Sequence, residues 1–210
     1  IAAARLEDTA KPFILLAAFG AMSESYDSHH GPLLSFNASE VTNSTFAMLN
    51  YSELPFYGRP SMTNPFRSHF SGQVPKVVSR QMAQKWLASP GAADTGVVEK
   101  VFHPRAWWAE LSKFRFLLSP QGDEIQTPKV VEALLVLTIP ITQRGPYRVA
   151  NDLLRLGFPV VAVDEWDEVT RGSLARWWSE LSPRLLSFRA NCLTTDGFWR
   201  MITGAVEPCH

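Results

Sequence analysis

FRFLLSPQGDEIQTPKVVEALLVLTIPIT, residues 114–142, is the stretch whose reading decides the fold. Phe116–Leu118 is a short continuous apolar run, the pattern of a strand covered on both faces. Ser119-Pro-Gln-Gly122 breaks it as a turn. Thr127 is a good helix N-cap and Pro128 suits the first helical position, where an N–H is not needed. Val130–Leu137 then reads as an apolar helix, and Ile139-Pro-Ile141 as a second short strand. Strand, loop, helix and strand in this order predict a parallel pair joined by a crossover helix.

The same alternation extends toward the C-terminus. Tyr147–Leu156 predicts a helix with Val149, Leu153, Leu154 and Leu156 on its buried face, capped by Gly157. Phe158–Val163 predicts a third buried strand, running into the acidic turn Asp164–Glu168. Three further helices are expected over 172–181, 183–190 and 196–203, the first two divided at Pro183.

Upstream, Phe13–Phe19 is another apolar run ended by Gly20, and it too reads as a fully buried strand. Residues 1–12 read as an irregular lead-in. Ser23–Pro75 shows no sustained period; short strands are expected at Thr45–Leu49 and Lys76–Val78. Ser79–Ala88 predicts an amphipathic helix with Met82, Trp86 and Leu87 inward. A Gly/Ala loop follows Ser89-Pro90-Gly91. Pro104 opens a helix over Arg105–Lys113, whose Trp107, Trp108 and Leu111 read as core. The expected fold is therefore α/β, a doubly wound parallel sheet of the Rossmann-like kind, with a partial, irregular N-terminal region. The organisation expected is a reduced N-terminal region over 1–100 and a ligand-binding domain over 101–210.

Composition narrows the function classes. The chain holds 210 residues, 46% of them hydrophobic and 19% charged, enough to build one sizeable core. Its formal net charge is +0, so there is no basic surplus for neutralising the phosphates of a nucleic acid. The longest apolar run, Phe13–Met22, is short of the ~18 residues that a membrane span needs. Cys192 and Cys209 could pair, but spacing alone does not decide it. Asn37, Asn43 and Asn50 each begin an Asn-x-Ser/Thr triplet, which points to the secretory pathway.

The loop and helix start at 119–132 carry the chemistry. In doubly wound sheets, ligands bind beyond the carboxyl ends of the strands. A helix start offers unpaired N–H groups and the positive end of the dipole, a place for an anion. Gly122 allows close backbone approach to a ligand. Lys129 is a cation in the first turn, where the dipole disfavours it by up to about 1 kcal/mol. A phosphate would offset that cost; pairing with Glu132 or exposure to water would as well. Glu132 suits the cis-diol of a ribose, or an ion pair with Lys129. Neither a Gly-Lys-Ser/Thr phosphate loop nor GxGxxG occurs. Asp27, His29 and His30 lie in the polar upstream segment without a second set of ligands at zinc spacing, so no metal site is expected.

Ser119–Leu134 followed by Ile139-Pro-Ile141, and then Leu156-Gly-Phe-Pro-Val-Val-Ala-Val-Asp-Glu-Trp-Asp-Glu168, resembles the nucleotide-sugar-binding segment of the exostosin-type glycosyltransferases. The resemblance covers about 114–170 and fades before Val101. It implies the C-terminal half of a GT-B fold and a presumed inverting transferase. Such an enzyme would move a sugar from a nucleotide diphosphate sugar, a UDP-sugar, to a glycan or polysaccharide acceptor. It implies no required cofactor or metal. It also implies a Golgi or endoplasmic-reticulum lumenal protein held by a single type II anchor that this chain does not contain.

Carried over by position, Ser119, Gly122, Glu124 and Thr127 line the donor loop. Lys129, where the family usually has Arg, contacts the diphosphate, and Glu132 binds the ribose or nearby donor hydroxyls. The catalytic base is unassigned; Glu124, Asp27 and His29 are the candidates. A two-domain enzyme of this kind needs roughly twice this length. The alternative reading is thus a truncated, non-catalytic relative that binds a glycan or a protein.

Overall fold

The computed structural model describes residues 11–19, 73–121, 128–144 and 149–204. Asp27, His29, His30, Gly122, Glu124, Thr127, Cys209, the Thr45–Leu49 strand and the triplets at Asn37, Asn43 and Asn50 lie outside them. Five strands form one all-parallel sheet: β1 (Phe13–Ala17), β2 (Val97–Glu99), β3 (Phe114–Leu118), β4 (Ile139–Gln143) and β5 (Val161–Val163). Their order across the sheet is β2-β1-β3-β4-β5. The fold is therefore the doubly wound α/β architecture expected from the alternation of apolar runs and helices. Strands on both sides of residue 100 share this one sheet, with β3 at its centre and β1 beside it.

Burial explains why these runs become strands. Leu15, Leu16, Phe116, Leu117 and Leu118 are all 0–1% exposed, so both faces of β1 and β3 are covered. Leu16, Ala18 and Leu117 pack under α3 (Trp107–Leu111) together with Trp107, Trp108 and Leu111. On the other side, Leu15, Ala17, Phe116 and Leu118 join a cluster with Ala83 and Trp86 of α1 (Gln73–Leu87) and with Leu174, Leu185 and Phe188 of α6 (Arg171–Asn191). α4 (Pro128–Leu135) contributes Val130 and Leu134 to this cluster and Ala133 to the first. α5 (Val149–Arg155) buries Leu153, whereas Leu154 is 39% exposed. The β4–β5 register begins at Ile141↔Val161, so Pro140, which has no N–H to donate, stands just before it.

Four local expectations change. Lys76–Val78, read as strand, belong to α1. The apolar period continues through positions 78, 82 and 86, so helical spacing wins over the β preference of a Val-Val pair. The Gly/Ala segment after Ser89 is not a loop but α2 (Pro90–Thr95). Ser89 Oγ accepts from Ala92 N, Pro90 opens it, and Gly96 at φ 72 ends it. β2 follows, an edge strand too short to show a period. α4 stops at Leu135 rather than Leu137. Leu137 takes the left-handed conformation (φ 61) while Leu137 N–H bonds Leu134 O at 3.1 Å and Thr138 N–H bonds Ala133 O at 2.8 Å. This is the stop that Gly157 provides for α5, made here by a leucine whose burial outweighs a strain of about 1–2 kcal/mol. Lastly, α6 runs unbroken through Pro183. That proline lies on the exposed face, where water can take the carbonyl it frees, and Leu185 and Phe188 hold the second half on the core.

α7 (Thr195–Ile202) closes the described fold by resting its first turn on the end of α6. A Cβ added at Gly197 would lie 2.1 Å from Asn191 O and 2.9 Å from Cys192 Cα. Both are backbone atoms and cannot swing away. Gly197→Ala is expected to lift α7, expose Met201 and lower stability by about 1–3 kcal/mol, read from the urea midpoint of the whole chain. Cys192 is fully buried and disulfide-bonded.

A lysine in the lead-in is part of the core. Lys11 is 0% exposed. Its Nζ donates to Ser112 O and Phe114 O at 2.9 Å, and to Val136 O and Thr138 Oγ1 at 3.1 Å. Ser112 and Val136 end α3 and α4, where carbonyls lack intrahelical partners and the dipoles are negative. One ammonium thus caps two helix ends. Residues 1–12 read as ragged from their composition; at Lys11 the chain is instead fixed among carbonyls.

Candidate functional site

The sheet order places a switch point between β1 and β3. The chain leaves β1 toward β2 on one side, returns across β1 to β3, and winds the other way through β4 and β5. The crevice outside the carboxyl ends of such a strand pair is where doubly wound folds bind ligands. Here those ends are Ala17 and Leu118, which are register partners.

Lys129, in the first turn of α4, reaches into this crevice. Its Nζ donates to Ala18 O, one residue past β1, and lies 5.3 Å from the centre of the Trp107 ring. Burial first, and then the neighbouring Arg80 guanidinium, push the Lys129 ammonium below its ordinary 10.5; Glu132 opposes them. Glu132, one turn further along α4, accepts from Trp107 Nε1 at 2.8 Å. Thus Trp107 holds both: the indole face carries the ammonium and the indole N–H carries the carboxylate. Lys129 and Glu132 are brought together as their spacing predicts. Trp107, read as core from its helical spacing, does pack half-buried against the Leu16–Leu117 cluster, and it also faces this mouth.

The base of the loop after β3 is held by α1. Gln121 N–H donates to Ser79 Oγ at 3.1 Å, and Arg80 Nε donates to Gln121 O at 3.3 Å. Ser79 Oγ in turn donates to Gln143 Oε1 at 3.3 Å, and Gln143 Nε2 donates to Asp164 O at 3.2 Å. Ser79 and Gln143 are 0% and 1% exposed, so this is a buried polar chain joining α1, the loop, β4 and the turn after β5. Ser119 is also buried, and its N–H continues the ladder to Ile141 O at 2.8 Å.

The acidic turn Asp164–Glu168 is occupied with its own backbone. Glu168 Oε1 accepts from Asp164 N at 2.6 Å and Glu165 N at 2.8 Å, while Asp164 pairs with Arg144 at 3.3 Å. Trp166 is buried beside α1 rather than open to the crevice. Among the described residues no group of three or more His, Cys, Asp or Glu could hold a metal ion, and no helix is long and apolar enough to cross a membrane.

Arg80 is the residue that sequence reading missed. It lies on a helix far from the loop in the chain, and only its closeness to Gln121 and Lys129 marks it. Comparison of the chain with family models, with curated proteins and with solved structures finds no match.

Proposed function

We propose that the chain binds a nucleotide diphosphate sugar at the β1–β3 switch point and transfers its sugar to a glycan or polysaccharide acceptor, as an exostosin-like glycosyltransferase of the secretory pathway. The observation that carries this reading is the Trp107–Lys129–Glu132 cluster at the start of α4. A lysine poorly compensated by its surroundings stands at a helix start, beside a carboxylate aimed by an indole. Diphosphate would exchange the Ala18 carbonyl for a full negative charge on Lys129 and would add the N–H groups of the helix start. Glu132 would accept from two neighbouring hydroxyls, as a ribose offers. In transfer, the same groups would stabilise the charge that develops on the leaving diphosphate.

Calorimetric titration of the chain with UDP and with UDP-sugars tests the reading. Saturable binding, followed by release of UDP in the presence of a glycan acceptor, is expected; no binding of any UDP compound would sink it. Trp107→Phe keeps a ring under Lys129 and removes the donor to Glu132. It is expected to weaken UDP binding about five- to tenfold, and Trp107→Ala more. Equal affinities in all three proteins would remove Trp107 from the site.

A further inference from the structure

We propose that Lys11 is a positioning residue of the switch-point site: from the far ends of α3 and α4 it sets how Trp107 meets Lys129 and Glu132. The inference rests on the nucleotide reading above for what that cluster binds, and it adds a residue that touches none of the three.

Three features carry it. First, one ammonium joins the two helices that bear the cluster. Lys11 Nζ donates to Ser112 O, just past α3, at 2.9 Å and to Val136 O, just past α4, at 3.1 Å. Trp107 opens α3, and Lys129 lies in the first turn of α4. Both helices are short: Ser112 is about 7 Å along the axis from Trp107, and Val136 about 10 Å from Lys129. A shift at one end of such a rod is a shift at the other. Second, the polar tie at the mouth, Trp107 Nε1 to Glu132 Oε2 at 2.8 Å, has its counterpart in Lys11 at the opposite end. Between the two ties, Trp107, Trp108 and Leu111 share one apolar cluster with Ala133 and Val136. Apolar burial is non-directional, so it leaves one helix free to slide along the other; directional bonds at both ends fix the register. Third, two lysines tie α4 to both ends of β1. Lys11, ahead of β1, reaches Val136 O, while Lys129 reaches Ala18 O, one residue past β1. A phosphate that draws Lys129 off Ala18 O undoes the second tie and leaves the first in place. Lys11 and Thr138, which accepts from Nζ at 3.1 Å, are both 0% exposed, so water does not compete for these bonds.

The test follows the indole N–H of Trp107 by hydrogen exchange in the full chain. Its resonance is the one of seven that Trp107→Phe removes. Lys11→Met is expected to speed its exchange by at least about fivefold, because the bond to Glu132 opens more often. Gly197→Ala, which costs stability on the other side of the fold, is expected to leave the rate unchanged. A wild-type rate in Lys11→Met, or the same acceleration in both variants, overturns the proposal. Should Lys11→Met fail to fold, Thr138→Val carries the test. It removes one acceptor of Lys11 and the hydroxyl bound to Leu111 O at 3.1 Å, and an unchanged rate there overturns the proposal as well. Calorimetry supplies the second readout. UDP affinity should fall about three- to tenfold in Lys11→Met and stay at the wild-type value in Gly197→Ala. An equal fall in both counts against positioning, as does no fall in Lys11→Met. If wild type binds no UDP, the nucleotide reading falls and the exchange rates alone decide the role of Lys11.

Discussion

Lys11→Met is expected to lower stability by about 3 kcal/mol at neutral pH, because it strands buried carbonyls. Ser112 O and Val136 O each accept from Lys11 Nζ at the ends of α3 and α4. Phe114 O keeps a second donor, the Thr138 hydroxyl at 2.8 Å. Two orphaned carbonyls at about 1–3 kcal/mol each outweigh what methionine saves by removing a desolvated amine. The hydrophobic length of the side chain is kept, so a cavity is not the cause of the loss. Urea unfolding of both proteins measures the difference; equal midpoints would show that the carbonyls find other donors.

The same residue sets a pH dependence. Burial pushes the Lys11 ammonium from 10.5 down to about 7. The unfolded chain keeps the ordinary value, so between these two pH values it binds a proton that the folded chain lacks. Unfolding then takes up protons, and stability climbs as pH rises through the window, by at most about 5 kcal/mol from this group. Below about pH 7 both states are protonated and this contribution is flat. Lys11→Met should lose the rise while keeping the rest of the profile. Parallel wild-type and variant curves from pH 6 to pH 10 would contradict this account.

Lys129→Ala is expected to weaken UDP binding by about 10- to 100-fold, the range for losing a charged hydrogen bond to phosphate. Lys129→Arg is expected to retain binding or improve it, since the guanidinium adds a bidentate match to phosphate oxygens. Together the pair separates lost charge from lost shape. A pH series adds a second reading. The charged form binds the anion, and in the free chain burial and Arg80 hold the Lys129 ammonium below 10.5. Affinity should therefore begin to fall below the pH at which an ordinary lysine titrates. Bound phosphate favours the ammonium, so binding on the falling limb takes up a proton, which shows as a buffer-dependent heat. An affinity indifferent to Lys129→Ala would detach this helix start from the ligand.

The architecture was legible because its signals are local. The apolar runs at 15–18, 114–118, 139–141 and 158–163 are covered on both faces, and continuous burial leaves continuous hydrophobicity in the chain. Pro128 at the start of α4 and Gly157 after α5 are backbone requirements written in single residues. The Lys129–Glu132 pair was visible for the same reason, since positions three apart on a helix share a face. The stop at Leu137 was not, because a leucine there looks like more helix. Its left-handed turn is supported only by the packing around it.

What the amino-acid sequence determined by itself, then, is the parallel α/β sheet and the pair of charges at the start of α4. Tertiary structure alone decided the surroundings of that pair and the anchoring of the lead-in. Trp107 meets Glu132 across 25 residues, Arg80 meets Gln121 across 41, and Lys11 meets Val136 across 125. None of these contacts leaves a local pattern. Each forms because the strand order β2-β1-β3-β4-β5 sets β1 against β3 and so gathers distant helices at the two ends of the same strand pair.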